Sequence, residues 1–92
     1  MSLTNKFRFE DKQIEEIKSK CKIEKDGRIF YIEGVSPLPY GYFFSLKYNN
    51  IPYSSYSVQF NENGIRVLPE SDLSIKLREF LNNYINKDNL ED

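Results

Sequence analysis

Residues 40–68 read YGYFFSLKYNNIPYSSYSVQFNENGIRVL. Tyr42, Phe44, Leu46 and Tyr48 alternate with Phe43, Ser45 and Lys47, and Tyr56, Val58 and Phe60 alternate with Ser55, Ser57 and Gln59. Successive side chains of a strand point to opposite faces, so this period of two lays one apolar row on one face of a sheet. Fold-backs at Asn49-Asn50 and at Asn63-Gly64 give two long strands, 42–48 and 56–62, and a short third, 65–68. Register follows from burial. Pairing Leu46 with Tyr56 across a loop from Asn49 to Tyr53 also sets Phe44 opposite Val58 and Tyr42 opposite Phe60, and a shift of one residue would turn one apolar row to the wrong face. A two-residue turn at Asn63-Gly64 then sets Phe60 opposite Val67 and Glu62 opposite Ile65. The expected core row is Phe44, Leu46, Tyr56, Val58, Phe60, Ile65 and Val67.

Upstream, Asp26-Gly27 lies between Cys21–Lys25 and Arg28–Glu33, and Asp-Gly between apolar-containing runs is a strong hairpin signal. A two-residue turn pairs Lys25 with Arg28, Ile23 with Phe30 and Cys21 with Ile32. Cys21, Ile23, Phe30 and Ile32 then face the core, while Ile29 and Tyr31 face outward beside Lys22 and Glu24. Gly34–Gly41 (GVSPLPYG) breaks the periodicity, and its prolines favour an extended surface connector that displays Leu38 and Tyr40 or tucks Leu38 into the core edge.

A helix precedes these strands and another follows. Between Asp11 and Lys20, Ile14, Ile17 and Cys21 fall at helical spacings on a narrow stripe. Asp11 is one candidate cap; with Glu10 as cap, Phe9 and Ile14 form a hydrophobic staple. Residues 6–9 alternate Lys, Phe, Arg, Phe, which also suits a short extended piece with Phe7 and Phe9 turned inward. After Pro69–Asp72, Leu73, Leu77, Phe80, Leu81, Tyr84 and Ile85 make a broad stripe, with Ile75 on the other side and a frayed tail from about residue 87. The expected fold is α+β, a single domain over residues 1–92. It consists of an antiparallel sheet of about five strands, hairpin plus meander, packed against the C-terminal helix and a shorter N-terminal helix. The order helix, strands, helix resembles the double-stranded RNA-binding domain in order only. The strand count is higher, and Glu70 and Asp72 open the second helix where phosphate binding calls for lysines.

Composition narrows the chemistry. The chain has 92 residues, 39% hydrophobic and 15% aromatic, enough to fill one core without disulfide or metal. Its net charge of −1 supplies no global field toward nucleic acid or an anionic membrane. It contains no histidine, which removes the commonest general base and metal ligand and every imidazole-dependent triad. The lone cysteine, Cys21, sits at the wrong end of its helix for activation and reads as core. The acidic groups Glu10, Asp11, Glu15 and Glu16, and Glu70, Asp72 and Glu79, lack calcium-loop spacing and suit helix starts. Residues 1–6 show no apolar segment behind a basic residue, so the expected location is cytoplasmic, with no membrane partner.

The expected function is therefore a non-catalytic protein-binding module, a small accessory subunit or stoichiometric inhibitor, with another protein as partner and no enzyme activity, cofactor or metal. Its candidate contacts are Tyr31, Leu38, Tyr40, Phe43 and Tyr53, because rings beside serines give contact area at small entropic cost. Coverage of the same face by Phe7, Phe9 or the proline segment is the competing structural role. The alternative function is weak nucleic-acid binding through Lys18, Lys20, Lys22, Lys25 and Arg28, next to Tyr31. Association with a second copy is compatible with either.

Overall fold

The computed structural model describes residues 9–61 and 64–90, with side chains as far as Asn86. The chain runs α1 (Asp11–Lys20), β1 (Lys22–Lys25), β2 (Arg28–Leu38), β3 (Gly41–Tyr48), β4 (Ile51–Asn61), β5 (Gly64–Leu68) and α2 (Asp72–Leu90). All strand pairs are antiparallel, in the order β1-β2-β3-β4-β5. Side chains from both helices and all five strands join one buried cluster, from Ile17 in α1 to Leu73, Leu77 and Leu81 in α2, so both helices cover the same face. The fold is the expected α+β arrangement. The tail expected to fray falls on residues whose side chains lie outside the described set, as does Phe7.

The first hairpin turns as expected. Asp26 (φ 56°) and Gly27 (φ 77°) carry the left-handed backbone that a two-residue turn of matching twist requires, and Lys25 pairs with Arg28 and Ile23 with Phe30. The expected Cys21–Ile32 pair does not form, because the ladder stops at Lys22–Tyr31 and Cys21 still belongs to the end of α1, donating its N–H to Ile17 O at 2.9 Å. Helix α1 begins with Glu10 N–H donating to Gln13 Oε1 at 2.8 Å, which identifies Glu10 as its cap.

The proline segment is not a connector. Gly34–Leu38 continues β2, paired with β3 from Gly34–Ser45 to Leu38–Gly41, and only Pro39 and Tyr40 turn. The prolines are tolerated for a positional reason. β1 has ended by Tyr31, so this half of β2 is a sheet edge. By antiparallel alternation from Leu38–Gly41, Pro37 directs its ring nitrogen away from β3, where no donor is needed.

Both meander registers differ from expectation by two residues. Leu46 lies opposite Ser54, Phe44 opposite Tyr56 and Tyr42 opposite Val58, because Asn49 (φ 54°) and Asn50 (φ 64°) make a tight turn rather than a five-residue loop. Such a turn alone would set Leu46 opposite Tyr53 and turn one apolar row outward. A bulge beside Leu46–Lys47 leaves Tyr53 unpaired and restores the parity. Similarly, Phe60 pairs with Ile65 and Asn61 with Gly64; the expected turn residue Asn63 and the expected pairing of Glu62 lie outside the described residues. A shift of two leaves every face unchanged, so the core row survives: Phe44, Leu46, Tyr56, Val58, Phe60 and Val67 are buried, and Ile65 packs against them. A second bulge, at Glu33, similarly brings Val35 onto the covered face.

α2 starts on a reciprocal pair of serines: Ser74 N–H donates to Ser71 Oγ at 3.1 Å, and Ser71 N–H to Ser74 Oγ at 2.6 Å. The spacing of four between Leu73, Leu77 and Leu81 then keeps one stripe on the sheet, flanked by Phe80 and Tyr84. Truncating Leu77 to alanine would cost roughly 2–5 kcal/mol.

Candidate functional site: the uncovered sheet face

With both helices on one side, the other face of the sheet carries none of them. Its pattern can be read from the ladders. Ser36, Phe43, Ser57 and Leu68 form one row across β2, β3, β4 and β5, and Lys22, Tyr31 and Lys47 form another across β1, β2 and β3. Phe43 is thus flanked by two serines on adjacent strands and remains 38% exposed. Burying a ring that stands free in this way gains about 25 cal/mol per Å² removed from water. Between the rows, Gly34, Ser45 and Ser55 lie side by side, with the two hydroxyls 3.3 Å apart. Lys47 is four residue steps along the strand from Phe43, about 13 Å at the usual rise. Tyr31 and Phe43 therefore mark two ends of a serine-lined surface rather than one aromatic cluster.

The five expected contact residues separate into three places. Phe43 and Tyr31 are on the uncovered face, and Leu38, half-buried, lies at its end in the last pair of β2. Tyr40 projects from the turn beyond it, 76% exposed, while its carbonyl accepts Phe60 N–H at 2.9 Å and ties the turn to β4. Tyr53 belongs elsewhere. Its ring lies 4.8 Å from that of buried Phe30, on the rim of the covered side, because a bulged residue does not follow the alternation of its strand. Phe9 does not cover the open face either: it stacks on Tyr42 at 5.6 Å and meets Phe60 edge-on at 5.4 Å, inside the core. Two residues outside the expected set share the face. Ile29 is exposed beside Glu24, and Leu68 lies opposite Ser57; the alternation of residues 65–68 already pointed Leu68 outward.

The basic candidates are not gathered on one surface. Lys18 lies 3.7 Å from Glu15 and Lys20 3.6 Å from Glu16, on α1. Lys25 bonds Asp26 at 2.8 Å, and that contact raises the lysine pKa and lowers that of the aspartate. Arg28 holds its guanidinium 5.7 Å above the Tyr48 ring. Lys22 alone of the five is on the uncovered face, next to Tyr31.

Among the described residues no group of three or more His, Cys, Asp or Glu is placed to hold a metal ion, and no helix is long and apolar enough to cross a membrane. Cys21 is fully buried, and burial pushes its thiol up to about 12, the opposite of what a nucleophile needs. A groove of about 730 Å³ runs between β1 and α2 and is lined by alternating charges around Ile23 and Ile75. No family model, curated protein or solved structure matches the chain.

Proposed function

We propose that this domain is a non-catalytic protein-binding module that acts by steric occupation, as an accessory subunit or stoichiometric inhibitor, and that its contact surface is the helix-free sheet face. The observation that carries this reading is Phe43, exposed between Ser36 and Ser57 on a face that the helices leave uncovered. An apolar ring surrounded by hydroxyls is the composition of an interface centre with an adaptable polar surround. Leu38 and Leu68 extend the apolar contact, and Tyr40 reaches past the sheet end. A reduced, buried Cys21 suits a cytoplasmic setting. The test compares the native protein with Phe43→Ser in a pull-down from native lysate, with and without nuclease. A partner that is lost with Phe43→Ser and kept after nuclease treatment supports the reading. Equal recovery by both proteins overturns it.

One observation favours the second reading, a weak nucleic-acid binder. Tyr31 stands between Lys22 and Lys47 on neighbouring strands, a ring with a cation on each side. The dispersal of Lys18, Lys20, Lys25 and Arg28 and the glutamates near Tyr31 weigh against it. Affinity for single strands that falls steeply with salt and is lost with Lys22→Ala or Lys47→Ala would establish this reading over the first.

A further inference from the structure

We infer that two copies of this chain associate through their β1 edges, antiparallel about Ile23, to form one continuous sheet across both copies. β1 is an end strand of the sheet, and its outer side borders the groove against α2. Its backbone is already set for another strand. Lys25 and Arg28 flank a two-residue turn and so exchange both their backbone bonds, and antiparallel alternation makes Ile23–Phe30 the next such pair. The N–H and C=O groups of Lys22 and Glu24 therefore point away from β2, into the groove.

Charge selects both occupant and register. Lys22 and Glu24 are exposed on the same face of β1, and neither takes part in an ion pair among the described residues. In the register centred on Ile23, Lys22 of one copy exchanges backbone bonds with Glu24 of the other, and the two-fold axis repeats the pair. Opposite charges then lie side by side at both positions. Sliding the strands by two residues either way sets Lys22 against Lys22 or Glu24 against Glu24, and a slip of one mismatches the outward backbone groups. The strand is thus complementary to itself in one alignment. Beneath it, on the covered face, Ile23, already buried within each copy, stands opposite its counterpart on the two-fold axis. Ile75, 43% exposed on the groove side of α2, lines the groove that the pairing edge of β1 borders and would lose exposure to the second copy. Edge strands left open in this way invite such pairing, and a two-fold contact of one patch with itself closes after two copies. The contact uses only the β1 margin of the uncovered face, at Lys22 and Glu24, and not the row of Ser36, Phe43 and Ser57 on β2 to β4, so the dimer does not rest on the proposed partner-binding role.

Sedimentation equilibrium of the full chain over a wide concentration range tests the inference. The native protein is expected to show a monomer–dimer equilibrium. Glu24→Lys opposes like charges at both positions and should raise the dissociation constant roughly tenfold. Lys22→Glu alone should do the same, and the double variant Lys22→Glu/Glu24→Lys should restore it. Ile75→Asp, on an exposed position, should weaken the dimer without unfolding the monomer, as circular dichroism checks. A native protein that stays monomeric at every concentration overturns the inference, as does a dimer in which the double variant is no tighter than the single ones.

Discussion

The hydroxyl of Tyr42 accepts a hydrogen bond from the N–H of Phe9 at 2.8 Å and lies 3.3 Å from the Phe9 carbonyl, to which it donates. The rings of the same two residues stack at 5.6 Å. One side chain of β3 thereby fixes the segment that leads into α1 and satisfies two backbone groups that would otherwise lie half-buried without partners. Tyr42→Phe keeps the ring and removes the hydroxyl. It should cost about 1–2 kcal/mol in urea unfolding, with an unchanged slope, since a polar pair is orphaned and little volume is lost. Equal stability of the two proteins would show that water replaces the hydroxyl at no cost.

Gly41 is required for space. A Cβ built on it would lie 1.9 Å from the carbonyl oxygen of Val58, a backbone atom with no rotamer to retreat into. The close approach follows from the tight turn at Pro39-Tyr40, which is bonded to β4 through Tyr40 O. Gly41→Ala should destabilise by an amount at or above the upper end of the roughly 1–3 kcal/mol typical of overpacking. Gly34→Ala, where an added Cβ meets nothing within 4 Å, is the matched control and should be nearly neutral. Thermal melts of the two variants check the contrast.

Cys21 offers a chemical probe of the core. Its thiol is buried against the first hairpin and pushed up to about 12 by that burial. At pH 8 a thiol reagent should leave the native protein untouched and react at the rate of unfolding, rising steeply with denaturant. The sign for stability follows from the same shift. A thiol whose folded pKa exceeds its unfolded value favours folding fully below the unfolded value, near 8.5, and that contribution declines as pH rises toward 12. Cys21→Ala should therefore remove part of the loss of stability at alkaline pH. Fast labelling of the native state at pH 8 would contradict this account.

Which parts of this molecule are legible in its sequence depends on parity. The faces of β1 to β5 follow from apolar alternation, and a shift of two residues leaves alternation untouched. Phe43, Ile29 and Tyr31 can therefore be placed outward correctly even with Leu46 matched to Tyr56 rather than to Ser54. Bulges are where the reasoning fails. Tyr53 and Glu33 each break the period by one residue, and no local composition marks them, because a bulge answers to the turn at the far end of its hairpin. Tyr53, expected as an outward contact at the end of the Asn49–Tyr53 loop, is instead the bulged residue and lies against Phe30. The proline segment departs from expectation for a different reason. Prolines 37 and 39 exclude a central strand, but the shortness of β1, which frees that half of β2 on one side, is a tertiary fact.

The pH dependence of the contact between α1 and α2 follows from one pair. Tyr84 of α2 donates its hydroxyl hydrogen to a carboxylate oxygen of Glu16 in α1, 68 residues apart in sequence. That bond, with Lys20 at 3.6 Å as the second contribution, holds the Glu16 carboxyl below the ordinary glutamate range. A carboxylate whose folded pKa is depressed stabilises the fold in full above its unfolded pKa, about 4.3, and the contribution is lost as pH falls through the lower, folded value. Tyr84→Phe retains the ring contacts with Phe9 and Phe80 and deletes the donor. The variant should be less stable than the native protein at pH 7, and the gap should hold steady down to about pH 5 and shrink below about pH 4, where protonated Glu16 no longer needs the bond. Its Glu16 carboxyl, followed by carbon-detected NMR titration, should move up toward the ordinary value. A gap that stays constant down to pH 2, with no movement of the Glu16 titration, would mean that the two helices are joined by their apolar stripes alone.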